Sequence, residues 1–183
     1  MIETERLIVR PWRDADREPF AAMGQDAEVM RFLGPLMSRA ESDAAVDRMM
    51  ALQAERGHCF WAVERRADGA FLGFCGLKRG PADTPIADDI EIGWRLGRAH
   101  WGQGYAREAA AACLDWSWAT LNVMSIAAIT VQGNSASWGL MERLGMTRRP
   151  DEDFDHPNLA PGDPLWRHIT YRIARPAAPS AAI

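Results

Sequence analysis

Between the apolar segment Ile90 to Leu96 and the alanine-rich segment Tyr105 to Leu121, the chain crowds three glycines into Gly97-Arg98-Ala99-His100-Trp101-Gly102-Gln103-Gly104. Glycine lets backbone N–H groups converge with no Cβ in the way, and the helix that follows adds unpaired N–H groups and a partial positive charge. The segment therefore predicts a strand-to-helix turn that can cradle a pyrophosphate. What precedes it narrows the choice of folds. Cys59 to Arg65, Ala70 to Lys78 and Ile90 to Leu96, separated by Ala67-Asp68-Gly69 and by Gly80 to Asp89, form an antiparallel meander. A dinucleotide-binding turn would follow a first parallel strand, and a Walker turn would end in Gly-Lys-Ser/Thr; this turn does neither.

The remaining pattern fills in the element order. Thr4 to Trp12 is a first strand stopped by Pro11, and Asp14 or Asp16 caps a following helix. Ser42 is expected to cap a helix over Asp43 to Glu55, which Gly57 ends. Ser125 to Val131 is a strand and Ser135 to Leu144 a helix ended by Gly145. Met146 to Arg149 and Leu165 to Ile173 are final strands, joined by the loop Pro150 to Pro164 with its four prolines. One domain is expected over residues 1–175, and the Pro-, Ala- and Ser-rich tail from Arg175 onward is expected to fray.

A chain of 183 residues suits a single core, and a net charge of −4 gives no general reason to hold a polyanion. Nucleic acid and membrane are thus excluded as partners, and a small-molecule or peptide amine fits better, bound by a monomer or homodimer. Cys59, Cys75 and Cys113 have neither metal-ligand spacing nor a disulfide framework, so no metal is expected and the thiols read as buried in a reducing cytoplasm. No apolar run approaches the roughly 20 residues of a membrane helix. Of the eight tryptophans, Trp116 and Trp118 lie two apart on one helix and cannot share a face, so one of them is expected at a dimer contact or cleft.

Trp101-Gly102-Gln103-Gly104-Tyr105-Ala106 resembles the Gln/Arg-x-x-Gly-x-Gly/Ala signature of the GNAT superfamily of N-acetyltransferases, in the aromatic-Gly-x-Gly-Tyr-Ala form of its RimJ/RimL branch. Asn134-Ser135-Ala136-Ser137 through Glu142-Arg143-Leu144-Gly145-Met146 resembles that branch's second block, and Thr4-Glu5-Arg6-Leu7 its first strand. The resemblance implies an α/β (α+β mixed) fold whose central, mostly antiparallel, splayed mixed sheet is flanked by helices. It implies acetyl-CoA as cosubstrate and acetyl transfer to a primary amine in a ternary complex. Trp101 through Ala106 would then hold the pyrophosphate, and backbone around Trp94 to Leu96 would pair with pantetheine and stabilise the oxyanion. Asn134 would contact pantetheine and Ser137 the leaving sulfur, although each residue type also suits a helix cap.

Attack on a thioester needs a neutral amine, so a proton must be accepted. Glu91 alternates with Ile90 and Ile92, faces away from both, and is the first candidate base; His156 is the second. Many relatives place a tyrosine acid where this chain has Met141, which cannot donate, so Ser137 or solvent must protonate the thiolate. Asp151-Glu152-Asp153-Phe154-Asp155-His156 combines four carboxylates with an aromatic, and Asp153, Asp155 and His156 are candidate substrate contacts that would attract a cation. The missing tyrosine also leaves open a non-catalytic acyl-CoA binding or sensing domain.

Overall fold

The computed structural model describes residues 1–177. Its elements run β1 (Ile2–Glu3), β2 (Leu7–Arg10), α1 (Arg17–Gly24), α2 (Ala27–Met30), α3 (Arg39–Arg56), β3 (Phe60–Arg65), β4 (Phe71–Arg79), β5 (Ile90–Leu96), α4 (Tyr105–Thr120), β6 (Ser125–Val131), α5 (Ser135–Arg143), β7 (Thr147–Arg148), β8 (Phe154–Asp155) and β9 (Arg167–Ala174). One open sheet takes the order β1-β2-β3-β4-β5-β6-β9-β7, with β8 also beside β9. Every strand pair is antiparallel except β5 with β6. This is the expected mixed, mostly antiparallel sheet flanked by helices.

Alternation along the strands sorts the side chains onto two faces. Cross-strand partners Trp61, Cys75 and Trp94 share the face that α4 covers, where Trp116 meets Trp61 edge-on at 4.9 Å between centroids. Ala62, Phe74 and Arg95 share the other face, which α1 covers through Phe20, 6.2 Å from Phe74. Cys59, Cys75 and Cys113 are free and buried; burial pushes the Cys59 thiol up to about 12. Trp116 is packed on Trp61 and Trp118 lies under the Arg175 guanidinium, so both are engaged within the chain.

Four local expectations change. The first strand breaks in two, because Thr4 Oγ1 and the Arg6 N–H both donate to Glu108 of α4, at 2.6 and 2.9 Å, and bend the chain between them. Asp16 does not cap α1 with its side chain; it is buried and takes a bidentate pair of hydrogen bonds from Arg10. Helix α3 starts one turn earlier than expected, capped by Ser38 in a capping box with Glu41, and Ser42 is buried inside its first turn. Gly57 ends it in the left-handed conformation. Arg175 is not frayed: it donates to the carbonyls of Val123, Trp118 and Leu121 at 2.9, 2.7 and 2.5 Å. The expected tail otherwise lies largely outside the described residues.

Candidate active site

Strands β5 and β6 run parallel yet pair only at Ile90 with Ile126 and Glu91 with Ala127. Beyond Glu91 they part, and the backbone of Ile92 to Leu96 has β4 on one side and no strand on the other. Trp94 and Leu96 line this free edge, and Trp101 Nε1 donates to the Leu96 carbonyl at 2.8 Å, closing the strand end. Unpaired strand backbone is a template for an extended chain.

Glu91 sits at the crotch of this fork. It is 8% exposed, and its carboxylate accepts from Lys78 Nζ, its cross-strand neighbour on β4, at 2.6 Å. Burial raises the carboxyl pKa above its ordinary value, and the Lys78 ammonium opposes that rise. A carboxylate so placed is a poor surface anion and a better proton acceptor near neutral pH. Lys78 is absent from the sequence expectations, because its register opposite Glu91 is set by the pairing of β4 with β5.

At the strand end the chain makes a 3-10 turn over Arg98–His100 and enters α4 through Gly102 and Gly104, at φ +71° and +81°. These are left-handed values that side chains with a Cβ disfavour. Gly104 caps α4 with no side-chain hydrogen bond, so first-turn N–H groups beginning at Tyr105 and Ala106 carry no side-chain acceptor. A Cβ on Gly102 would meet nothing within 4 Å, and one on Gly104 only Arg6 Nη2 at 3.4 Å. Uncapped first-turn donors behind a glycine turn fit an anion such as a pyrophosphate. The turn is braced from behind: Arg6 Nη1 donates to the Gln103 carbonyl at 3.0 Å, the Gln103 side chain donates to Ala99 O at 2.9 Å, and the Arg6 guanidinium lies 4.6 Å over the Tyr105 ring.

Across the fork, β6 leads into α5. Asn134 is the helix cap: its Oδ1 accepts from the Ser137 N–H at 3.3 Å, and its Nδ2 donates to Thr130 Oγ1 at 3.1 Å. The cap is a structural duty that does not consume the half-buried Ser137 hydroxyl. Met141 is buried in the core. Glu91 thus lies at the crotch, with Trp94 to Ala106 following from one arm and Asn134 with Ser137 from the other.

The acidic loop returns along β9, on the far side of β6. Each of its four carboxylates meets an arginine: Asp151 with Arg149 at 3.0 Å, Glu152 with Arg172 at 2.5 Å, Asp153 with Arg148 at 2.5 Å, and Asp155 with Arg167 at 3.1 Å. The loop therefore presents no surplus negative charge, and Asp153 is a brace that also accepts from the Thr170 N–H at 3.2 Å. His156 accepts a hydrogen bond at Nδ1 from the Asn158 N–H at 3.3 Å, and its ring lies 5.1 Å from that of His168. Among the described residues no group of three or more His, Cys, Asp or Glu could hold a metal ion, and no helix is long and apolar enough to cross a membrane.

Residues 6–147 match the family described as Acetyltransferase (GNAT) domain. The chain is 33% identical over 144 residues to the uncharacterized protein YkkB of Bacillus subtilis, covering 78% of this chain and 83% of that one. It is 27% identical over 150 residues to the uncharacterized N-acetyltransferase YoaA of the same organism, covering 81% and 83%. A solved acetyltransferase from Agrobacterium tumefaciens superposes with a TM-score of 0.75 at 27% identity, covering 94% of this chain and 92% of the other.

Proposed function

The chain belongs to the GNAT acetyltransferase family, and from that premise we propose that it transfers acetyl from acetyl-CoA to a primary amine by direct attack in a ternary complex. The observation that carries the mechanism is Glu91 at the point where β5 and β6 part. Acetyl-CoA supplies the activated acyl group as a thioester. Gly102, Gly104 and the opening N–H groups of α4 hold the pyrophosphate, and the free edge of β5 from Ile92 to Leu96 pairs with the extended pantetheine arm. Backbone N–H groups near Trp94 to Leu96 donate to the oxyanion as the amine nitrogen attacks. Glu91 accepts the proton that the amine must lose, directly or through one water. As the C–S bond breaks, the Ser137 hydroxyl is the chain's own donor near the thiolate, and solvent replaces the proton it gives. The aromatic-Gly-x-Gly-Tyr-Ala form of the cradle supports the RimJ/RimL branch. Peptide N-termini and small amines both belong to the acceptor class at this level.

The test is thiol release from acetyl-CoA against N-terminal peptides, polyamines, amino acids and aminoglycosides, with wild type and Glu91→Gln in parallel. Glu91→Gln is expected to lower turnover by roughly 10² to 10⁴ while acetyl-CoA affinity stays nearly constant. Wild-type turnover in that variant moves the base to His156 or solvent. Tight acetyl-CoA binding with negligible turnover across the whole panel points to a binding or sensing domain instead.

A further inference from the structure

Arg95 shares the Glu91 face of β5, and the proposed reaction leaves it unused. It lies two and four residues beyond Gly93 and Glu91 on β5, so alternation puts it on the same face as the candidate base. Its guanidinium stands 5.2 Å over the Phe74 ring and 5.7 Å from that of Phe20, and Nη1 touches Met37 Sδ at 3.5 Å. Its Nε is buried with no hydrogen-bond partner, and among the described residues no carboxylate comes within ion-pair distance of it. Burial pushes its pKa down from the ordinary arginine range to about 10.

The contrast with the rest of the fold gives this meaning. Structural arginines elsewhere in this chain have oxygen acceptors: Arg10, 4% exposed, has Asp16 at 2.8 Å and Glu64 at 2.7 Å, Arg172 has Asp89 and Glu152, and Arg175 has three backbone carbonyls. Arg95 is half-buried, and a partly desolvated cation without a counter-ion is unfavourable. On the same face Lys78 stands 5.2 Å over the Phe60 ring, which stacks on Phe74 at 5.4 Å, and Lys78 does have its acid in Glu91. The two cations flank one aromatic stack, and only the Arg95 end lacks its anion.

We propose that Arg95 receives a carboxylate carried by the acceptor itself, so that the acceptor is a zwitterion with its amine at Glu91 and its acid at Arg95. A single guanidinium in an apolar box balances one negative charge; a phosphate dianion would bring in a second with no partner. The Glu91 and Arg95 Cα atoms are about 14 Å apart along the strand, at ~3.4 Å per residue, so amine and acid are separated by a chain and not by a single carbon. An ω-amino acid or a short peptide with a free C-terminus has this form. The inference rests on the acetyl-transfer reading, and deepens it to a substrate class.

The probes are ω-amino acids of graded length, from 4-aminobutyrate to 8-aminooctanoate, each beside the alkylamine of the same length. With wild type, kcat/KM is expected to favour the amino acid at least tenfold at one or more lengths, and the preference to reside in KM. Arg95→Gln should bring that ratio to within twofold of one, and Arg95→Lys should restore part of it. Thermal melting accompanies both variants, since a merely structural arginine would lower the melting temperature and depress both probe series together. Equal wild-type preference for acid and alkylamine, or a ratio unmoved in a folded Arg95→Gln, overturns the proposal. If no probe releases thiol, the acetyl-transfer reading is what has failed. Calorimetric binding of 6-aminohexanoate against hexylamine, in wild type and Arg95→Gln, then still decides the role of Arg95.

Discussion

Glu91 is pulled in two directions, and the pair of pulls can be measured. Burial raises its pKa and the Lys78 ammonium, 2.6 Å away, lowers it, with burial the larger influence. A base works only when deprotonated, so the acidic limb of kcat/KM should fall at a pH above the ordinary glutamate value of about 4.3. Lys78→Met removes the lowering influence and leaves the burial, so the limb should move further up. The profile is best taken with an acceptor amine of low pKa, whose own titration lies outside the window. A limb that stays put or moves down removes Glu91 from proton transfer. The alternation of Ile90, Glu91 and Ile92 made this residue's orientation legible from the chain alone. Lys78 and Arg95 were not legible, because whether a charged strand residue has a partner depends on neighbours contributed by other elements.

At the scale of elements, the α4 entrance carries the next expectation. Gly104→Ala forces a Cβ onto φ +81°, which costs about 1–2 kcal/mol, and directs it at Arg6 Nη2, 3.4 Å away, so that the brace behind the turn must shift. Acetyl-CoA affinity measured by calorimetry should fall by more than the loss of folding stability accounts for, while affinity for pantetheine lacking the phosphates should fall less. Equal losses for both ligands would place the pyrophosphate elsewhere. Strands β5 and β6 were bounded correctly from period and turn residues, and α4 and α5 to within a residue at their C-terminal ends. The start of α3 was misplaced although Ser38-Arg39-Ala40-Glu41 is a readable capping box, because Ser42 offered a competing cap one turn later. Helix α2 escaped altogether, since four residues capped by Asp26 are too short to show a period. The charge run from Asp151 to Asp155 reads as a cation trap in sequence, but Arg148 of β7, Arg149 just after it, and Arg167 and Arg172 of β9 neutralise it.

On the scale of the molecule, one side chain near the end of the described chain ties the sheet to its helix. Arg175 donates to three carbonyls between the end of α4 and the start of β6, and its own N–H donates to Met124 O at 2.8 Å. Arg175→Ala leaves those carbonyls short of donors and should destabilise the fold by ~2 kcal/mol, a fall in melting temperature of roughly 4–8 °C for a protein this size. An unchanged melting curve would show that solvent satisfies the same carbonyls. The fork between β5 and β6 has a further consequence for solubility. Exposed strand edges invite other molecules to add on and begin aggregates, and proteins protect the outer margins of their sheets accordingly. Here the unpaired backbone of Ile92 to Leu96 lies inside the sheet, between strands already joined at Ile90 and Glu91. It is therefore not an outer margin onto which another sheet could add, whereas a single extended chain bearing amide groups can lie along it. The position of this edge inside the sheet thus selects for a strand-like ligand before any side chain contributes to recognition.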